Sequence, residues 1–141
     1  MNVSRQDIYS YVTTLLKSVS NNIYRIKRPE MLTTDVSSNG FIVLKMGGVK
    51  DFSELVLDTY AQTRVYVECY IPSMKTDKTI NSTKYKTVQN AVDNIINAEC
   101  LKSNQPYTIS RDDMVLSTED FFTNNTDSFF VYITSFLISI T

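Results

Sequence analysis

The stretch that most constrains the fold is the last one, Phe129-Phe130-Val131-Tyr132-Ile133-Thr134-Ser135-Phe136-Leu137-Ile138-Ser139-Ile140. Successive residues of a strand alternate sides. Read that way, Phe129, Val131, Ile133 and Leu137 fall on one face, and Phe130, Tyr132, Phe136, Ile138 and Ile140 on the other. A strand that is apolar on both sides is central in its sheet, or has its outer face covered. The run is too short to cross a bilayer as a helix, and Thr134, Ser135 and Ser139 interrupt it.

The cleanest alternation lies earlier, from Arg64 to Ile71. Val65, Val67, Cys69 and Ile71 share one face, Arg64, Tyr66, Glu68 and Tyr70 the other, and Pro72 ends the strand. Gly40 opens a β-branched run, Phe41 to Met46, closed by Gly47-Gly48, and a shorter strand over Ile23 to Lys27 stops at Pro29. Two stretches follow helical spacing instead. Ser4 with Asp7 resembles a capping box ahead of Ile8, Val12, Leu15, Leu16 and Val19. Tyr85, Val88, Val92, Ile95, Ile96 and Ala98 mark a second helix over Thr83 to Cys100, broken by Asn104-Gln105-Pro106. Tyr107 to Ser110 and Met114 to Ser117, about a turn at Arg111-Asp112-Asp113, predict a hairpin.

Thr33 to Asn39 and Ser73 to Ser82 read as polar loops, the second with Lys75, Asp77 and Lys78 exposed, and Thr123 to Asp127 as a loop into the last strand. Val49 to Gln62 fits either a helical turn over Ser53 to Tyr60 or an irregular excursion. No repeat or linker divides the 141 residues, so one domain is expected. The expected architecture is α+β: one antiparallel, twisted sheet with two amphipathic helices packed on a face, plus the hairpin.

The chain has no histidine, which removes the usual general base near neutral pH and the commonest metal ligand. Ser/His/Asp and Cys/His arrangements are thereby excluded. The three glycines, Gly40, Gly47 and Gly48, form no phosphate-cradling loop. Cys69 and Cys100 have no zinc-site spacing and are expected as reduced thiols acting as small hydrophobes. The acidic pairs Asp112-Asp113 and Glu119-Asp120 are expected as solvated turn carboxylates. Neither catalytic residues nor a cofactor nor a metal is expected.

The net charge of −1 offers no general field for nucleic acid or an anionic membrane. Arg25, Lys27 and Arg28, beside Tyr24, suit either contacts to a nucleic-acid backbone or a solvated strand edge. Lys75, Lys78, Lys84 and Lys86 form a second basic group, either a solvated face or a grip on a neighbour. Met1-Asn2-Val3-Ser4-Arg5 leads into a polar helix with no signal-peptide core, so an intracellular protein is expected.

The order of elements is a helix over Asp7 to Val19, a strand ending at Pro29, the glycine-led strand Gly40 to Met46, and a long strand ending at Pro72. A lysine- and aspartate-bearing loop, a helix over Lys84 to Cys100 and a closing strand pattern follow. This order resembles the tail-terminator and head–tail connector (neck ring) proteins of tailed bacteriophages, over most of the chain and without a diagnostic motif. The resemblance implies a structural virion subunit with no active site, forming a ring around the DNA channel and assembled in the bacterial host cytoplasm. Its implied partners are other copies of itself, adjacent portal, connector or tail proteins, and DNA that passes through without sequence-specific binding; no membrane is involved. Such a subunit presents apolar and tyrosine-bearing strands, and loops that order on assembly. The residues expected at inter-subunit contacts are Phe52, Leu55, Tyr60, Tyr66, Tyr70, Lys75 and Lys78. The alternative is a small monomeric protein-binding module, of the inhibitor or immunity type, running near 16.1 kDa.

Overall fold

The structure is a computed structural model that describes residues 5–30, 32–47, 61–102, 107–111, 118–124 and 127–140. Its elements are α1 (Arg5–Leu16), β1 (Ile23–Arg25), α2 (Thr34–Asn39), β2 (Phe41–Gly47), β3 (Ala61–Pro72), α3 (Ser82–Cys100), β4 (Tyr107–Arg111), β5 (Thr118–Asn124) and β6 (Asp127–Ile140). The fold is α+β. One six-stranded sheet runs β1-β2-β3-β6-β4, with β5 also paired to β6.

The doubly apolar strand is central. β3 lies along β6 from Ala61↔Ile140 to Pro72↔Phe129. The opposite edge of β6 is shared by β4, which pairs with residues 136–140, and β5, which pairs with residues 127–133. With β3 along one edge and β5 and β4 along most of the other, β6 is an interior strand, and its side chains are taken up on both faces of the sheet.

Helices α1 and α3 cover one face. Ile8, Val12 and Leu16 of α1 and Tyr85, Val92 and Ile96 of α3 pack on Ile42, Leu44, Val65, Val67, Cys69, Ile71, Tyr132, Phe136 and Ile138. The helical spacing of the first six and the period-two spacing of the rest put both sets on the same contact plane. Asn81 caps α3, its side-chain oxygen accepting from Lys84 N at 3.2 Å.

The other face carries a second, aromatic core. Phe41 stacks on Tyr70 with centroids 4.4 Å apart, and Phe129 and Tyr24 meet Phe41 edge-on at 5.3 and 5.9 Å. Val36 of α2, Val43 and Val131 complete it. Such offset and T-shaped pairs are the arrangements that ring quadrupoles favour. Gly40 joins α2 to β2: its N–H donates to Val36 O at 2.9 Å, and its φ of +84° turns the chain directly into the sheet.

Some details differ from the expectations. Thr33 to Asn39 is not a loop, because Thr33 caps the short helix α2, its hydroxyl accepting from Val36 N. β1 joins β2 in parallel, whereas the remaining pairings are antiparallel; the α2 crossover brings the chain back to the same end of the sheet. The second arm of the hairpin expected between residues 107–110 and 114–117 lies outside the described residues, and the pairing described for β4 is with β6. β4 takes the second half of β6, which buries Ile109 against the helix-covered face, and β5 with β6 forms a hairpin. Residues 112–117, including Asp112 and Asp113, lie outside the described residues, as does Ser4. Glu119 and Asp120 sit within β5, opposite Tyr132 and Val131, and not in a turn.

Candidate interaction surface

Where β1 ends, the chain leaves the sheet abruptly. Ile26 N donates to Leu44 O at 2.7 Å, and Lys27 N then turns back to Arg25 O at 2.8 Å. Ile26 adopts φ +75°, the left-handed region that costs an L-residue about 1–2 kcal/mol and is least tolerated by a β-branched one. The residues on either side of it are anchored. Arg25 reaches back to α1, donating to Gln6 Oε1 and to Ser10 Oγ (3.1 Å), with its guanidinium 5.6 Å from the Tyr9 ring centroid. Arg28 lies 5.9 Å from the Tyr70 ring centroid. Between these two fixed arginines Ile26 is 63% exposed.

Lys27 pairs with Glu30 at 3.1 Å on an open surface. The three cations of this group are therefore engaged by three different parts of the chain. That is the arrangement of a solvated, tied-down edge rather than of a strip following a nucleic-acid backbone.

Of the seven residues expected at contacts, four are described. Phe52, Leu55 and Tyr60 lie outside the described residues. Tyr66 is half-buried in the middle of β3, opposite Lys45. Tyr70 is only 6% exposed and belongs to the aromatic core, so its ring holds the monomer together and is not an interface group. Its hydroxyl donates to Glu68 Oε1 at 3.1 Å, and Lys45 Nζ lies 3.1 Å from Glu68 Oε2. Burial, reinforced by the Glu68 charge and partly offset by Arg28, pushes the Tyr70 phenol up to about 12. The doubly apolar β6 is likewise absorbed inside the chain, so neither feature advertises a partner.

Lys75 and Lys78 are exposed, in a loop that holds itself. Met74 N donates to Thr79 O at 2.8 Å and Lys78 N to Met74 O at 3.0 Å. Asp77 Oδ1 accepts from Thr79 N and Thr79 Oγ1 at 3.1 and 2.6 Å. These bonds hold the Asp77 carboxyl below its ordinary value. Lys78 takes φ +61° to close the turn. Within the loop, the aspartate two residues before a threonine supplies an acceptor that closes the turn.

Three large apolar side chains remain in solvent among the described residues: Ile26, Met74 (42% exposed) and Leu101 (89% exposed). Met74 lies in the loop entering α3, and Leu101 is its C-cap. Met74 thus lies just past the end of β3, Leu101 at the C-terminal end of α3, and Ile26 just past β1 at the edge of the sheet. Sequence periodicity did not single these three out. Ile26 sits in an alternating stretch, and the other two lie just past element ends, where no period applies.

A buried carboxylate ties the helices together. Glu99 is 5% exposed; its Oε1 accepts from Tyr11 Oη of α1 at 2.8 Å and its Oε2 meets Lys102 Nζ at 2.8 Å. Burial alone would raise this carboxyl. The Lys102 and Tyr11 hydrogen bonds, with the Lys102 charge, outweigh it and hold Glu99 below its ordinary value. A group depressed in the folded state stabilises above its unfolded pKa, and that stability is lost as pH falls through the folded one. Glu99→Gln is therefore expected to cost about 1–3 kcal/mol at pH 7. The gap between variant and native chain should narrow below about pH 4.5. Urea unfolding at several pH values between 7 and 3 checks this, and parallel curves at every pH would refute it.

Nearby, Tyr132 Oη donates to Asp93 Oδ1 at 2.7 Å, and Arg111 Nε donates to Asn97 Oδ1 at 2.9 Å, fastening β6 and β4 to α3. Both thiols are free; Cys69 is buried, and burial followed by the Asp93 and Glu68 charges pushes it far up. Burial also raises Cys100.

Among the described residues no group of three or more Cys, Asp or Glu side chains is placed to hold a metal ion. No helix there is long and apolar enough to cross a membrane. The chain matches no protein-family model and no curated protein.

Proposed function

We propose that the chain is a non-catalytic structural subunit, assembling into a ring at the head–tail junction of a tailed bacteriophage as a tail terminator or neck ring protein. The observation that carries this reading is that the exposed large apolar side chains among the described residues, Ile26, Met74 and Leu101, lie apart in the chain's elements: just past β1, just past β3 and at the C-cap of α3. A module that captures one partner concentrates its apolar surface in one patch. Separated apolar points suit a subunit with a neighbour on more than one side, as head-to-tail rings require. The order of elements, with two helices on one face of an open sheet, supports the phage-specific part of the reading. Copies of the chain, portal or tail proteins, and DNA passing through the ring are its proposed partners, and the virion its proposed location.

Size-exclusion chromatography with light scattering, on the chain alone and mixed with the portal and tail proteins of the same virus, tests the reading. A multimer, or co-assembly with those proteins, is the expected result. A monomer near 16.1 kDa that ignores them and binds one unrelated protein in a one-to-one complex would replace it with the inhibitor-type module.

A further inference from the structure

We propose that Asn39-Gly40 is a modification site gated by the fold, silent while α2 is formed and converted to aspartate or isoaspartate once the α2–β2 junction opens. The inference goes beyond the assembling-subunit reading and does not rest on it. Asn39-Gly40 is the single Asn-Gly pair of the sequence. A following glycine is the context in which asparagine loses ammonia most readily, because no Cβ hinders the attacking amide nitrogen. In that reaction Gly40 N bonds to Asn39 Cγ, and the bond from Cγ to the side-chain nitrogen breaks. The nitrogen leaves as ammonia, carrying the proton that Gly40 N gives up, and a five-membered succinimide remains. Water then adds to one of the two ring carbonyls. Opening the ring at one C–N bond gives aspartate, and at the other isoaspartate. One water is consumed, one ammonia is released, and nothing is oxidised or reduced.

The fold keeps both reacting groups occupied. Asn39 is the last residue of α2, and Gly40 N–H donates to Val36 O at 2.9 Å, which aims the attacking nitrogen back along the helix. Asn39 Nδ2 donates to Asp35 Oδ1 at 2.6 Å, one turn back on the same side. Asp35 Oδ2 accepts from Asn22 Nδ2 at 2.9 Å, and Lys84 Nζ of α3 donates to Ser38 O at 3.1 Å, so other segments hold this turn closed. Ring closure breaks the Gly40 and Asn39 bonds and takes the Asn39 backbone out of its helical conformation. Asn39 is exposed, so water meets it as soon as the turn opens. The product does not fit back. Hydrogen bonds from Asn22 and Asn39 hold the Asp35 carboxyl below its ordinary value, so it is charged when the new carboxylate forms. That carboxylate has no proton to donate and repels Asp35, as like charges four apart on a helix do. Isoaspartate also adds a methylene to the main chain just where Gly40 passes close to Tyr70 O. A transient opening is thereby recorded as a lasting change.

The test incubates the full chain at mildly alkaline pH, folded and in urea, and follows the Asn39 peptide by digestion and mass spectrometry. A group that reacts only in an opened state is slowed by the rarity of that state. Conversion is expected in urea, and in the folded chain it should be slower by about tenfold or more. Asp35→Ala frees the Asn39 amide and Lys84→Met unties α3 from Ser38 O, so each should speed conversion in the folded chain and leave the rate in urea unchanged. Where Asp35→Ala does not fold, Lys84→Met carries the same comparison. Asn39→Asp, which copies one product, should unfold at a lower urea concentration than the native chain. Equal rates in folded and unfolded chains would overturn the gate, as would folded variants that convert no faster than the native chain. A peptide that stays unconverted even in urea would remove the site itself.

Discussion

Gly40→Ala is expected to destabilise the fold by about 3 kcal/mol or more, one of the two largest single-residue effects in this chain. Two costs add. The φ of +84° lies where a side chain is strained whatever the space around it. A Cβ built there would also stand 2.2 Å from Tyr70 O and 3.1 Å from Pro72 Cδ. The 2.2 Å contact is with backbone, in a strand paired on both sides by β2 and β6, so the obstacle does not swing aside as a side chain would. Relief must come from moving the α2–β2 junction, which also carries the Asn22 contact, Nδ2 to Gly40 O at 3.3 Å. Urea unfolding followed by circular dichroism measures the loss. A variant within about 0.5 kcal/mol of the native chain would show that the junction is not held as described.

Phe129→Ala should cost a similar amount, about 3–5 kcal/mol. Phe129 is fully buried, edge-on to Phe41 at 5.3 Å, at the centre of the aromatic core on the face away from α1 and α3. Truncation leaves a cavity bounded by Phe41, Tyr70 and Val131, whose backbones belong to three paired strands and relax little. This prediction separates two roles for the second apolar face of β6. If that face completes the monomer, the loss appears in unfolding experiments and does not depend on protein concentration. If it were an inter-subunit surface, Phe129→Ala would leave the monomer intact and abolish assembly, and the core described for this face would be wrong.

Much of the frame was legible in the residues. Ile8, Val12 and Leu16 recur at helical spacing and are all buried in α1; Val65, Val67, Cys69 and Ile71 alternate and all face the helices from β3. The position of β6 followed from its two apolar faces, since only a strand with neighbours on both edges and cover on both sides buries them. In α3 the stripe was right to within one residue: Ala98 is exposed and Glu99 takes the buried place. A carboxylate can sit there only because Tyr11, 88 positions away, and Lys102 converge on it.

Local patterning misjudged Tyr70 for a related reason. Alternation correctly put it beside Glu68 on the face away from α1 and α3, but a polar neighbour does not reveal that Phe41, Phe129 and Val36 cover that part of the sheet. The helix α2 escaped because six residues with one buried side chain make no period. The pairing of β4 with the second half of β6 escaped because no local pattern in residues 107–111 points to a partner about 30 positions away.

The exposed isoleucine of the β1 edge is the least legible part. Nothing in Arg25-Ile26-Lys27-Arg28 announces that the isoleucine stays exposed while its arginine neighbours are taken up by Gln6, Ser10 and Tyr9 on one helix and Tyr70 on a distant strand. The sequence by itself determined the period of each long element and which side chains share its face, since helix and strand repeats are properties of consecutive residues. Tertiary structure alone decided which strands pair, which face is covered twice, which charge is buried with partners and which isoleucine stays in water. Those outcomes depend on groups far apart in the chain meeting at a few ångströms, and no local repeat encodes such meetings.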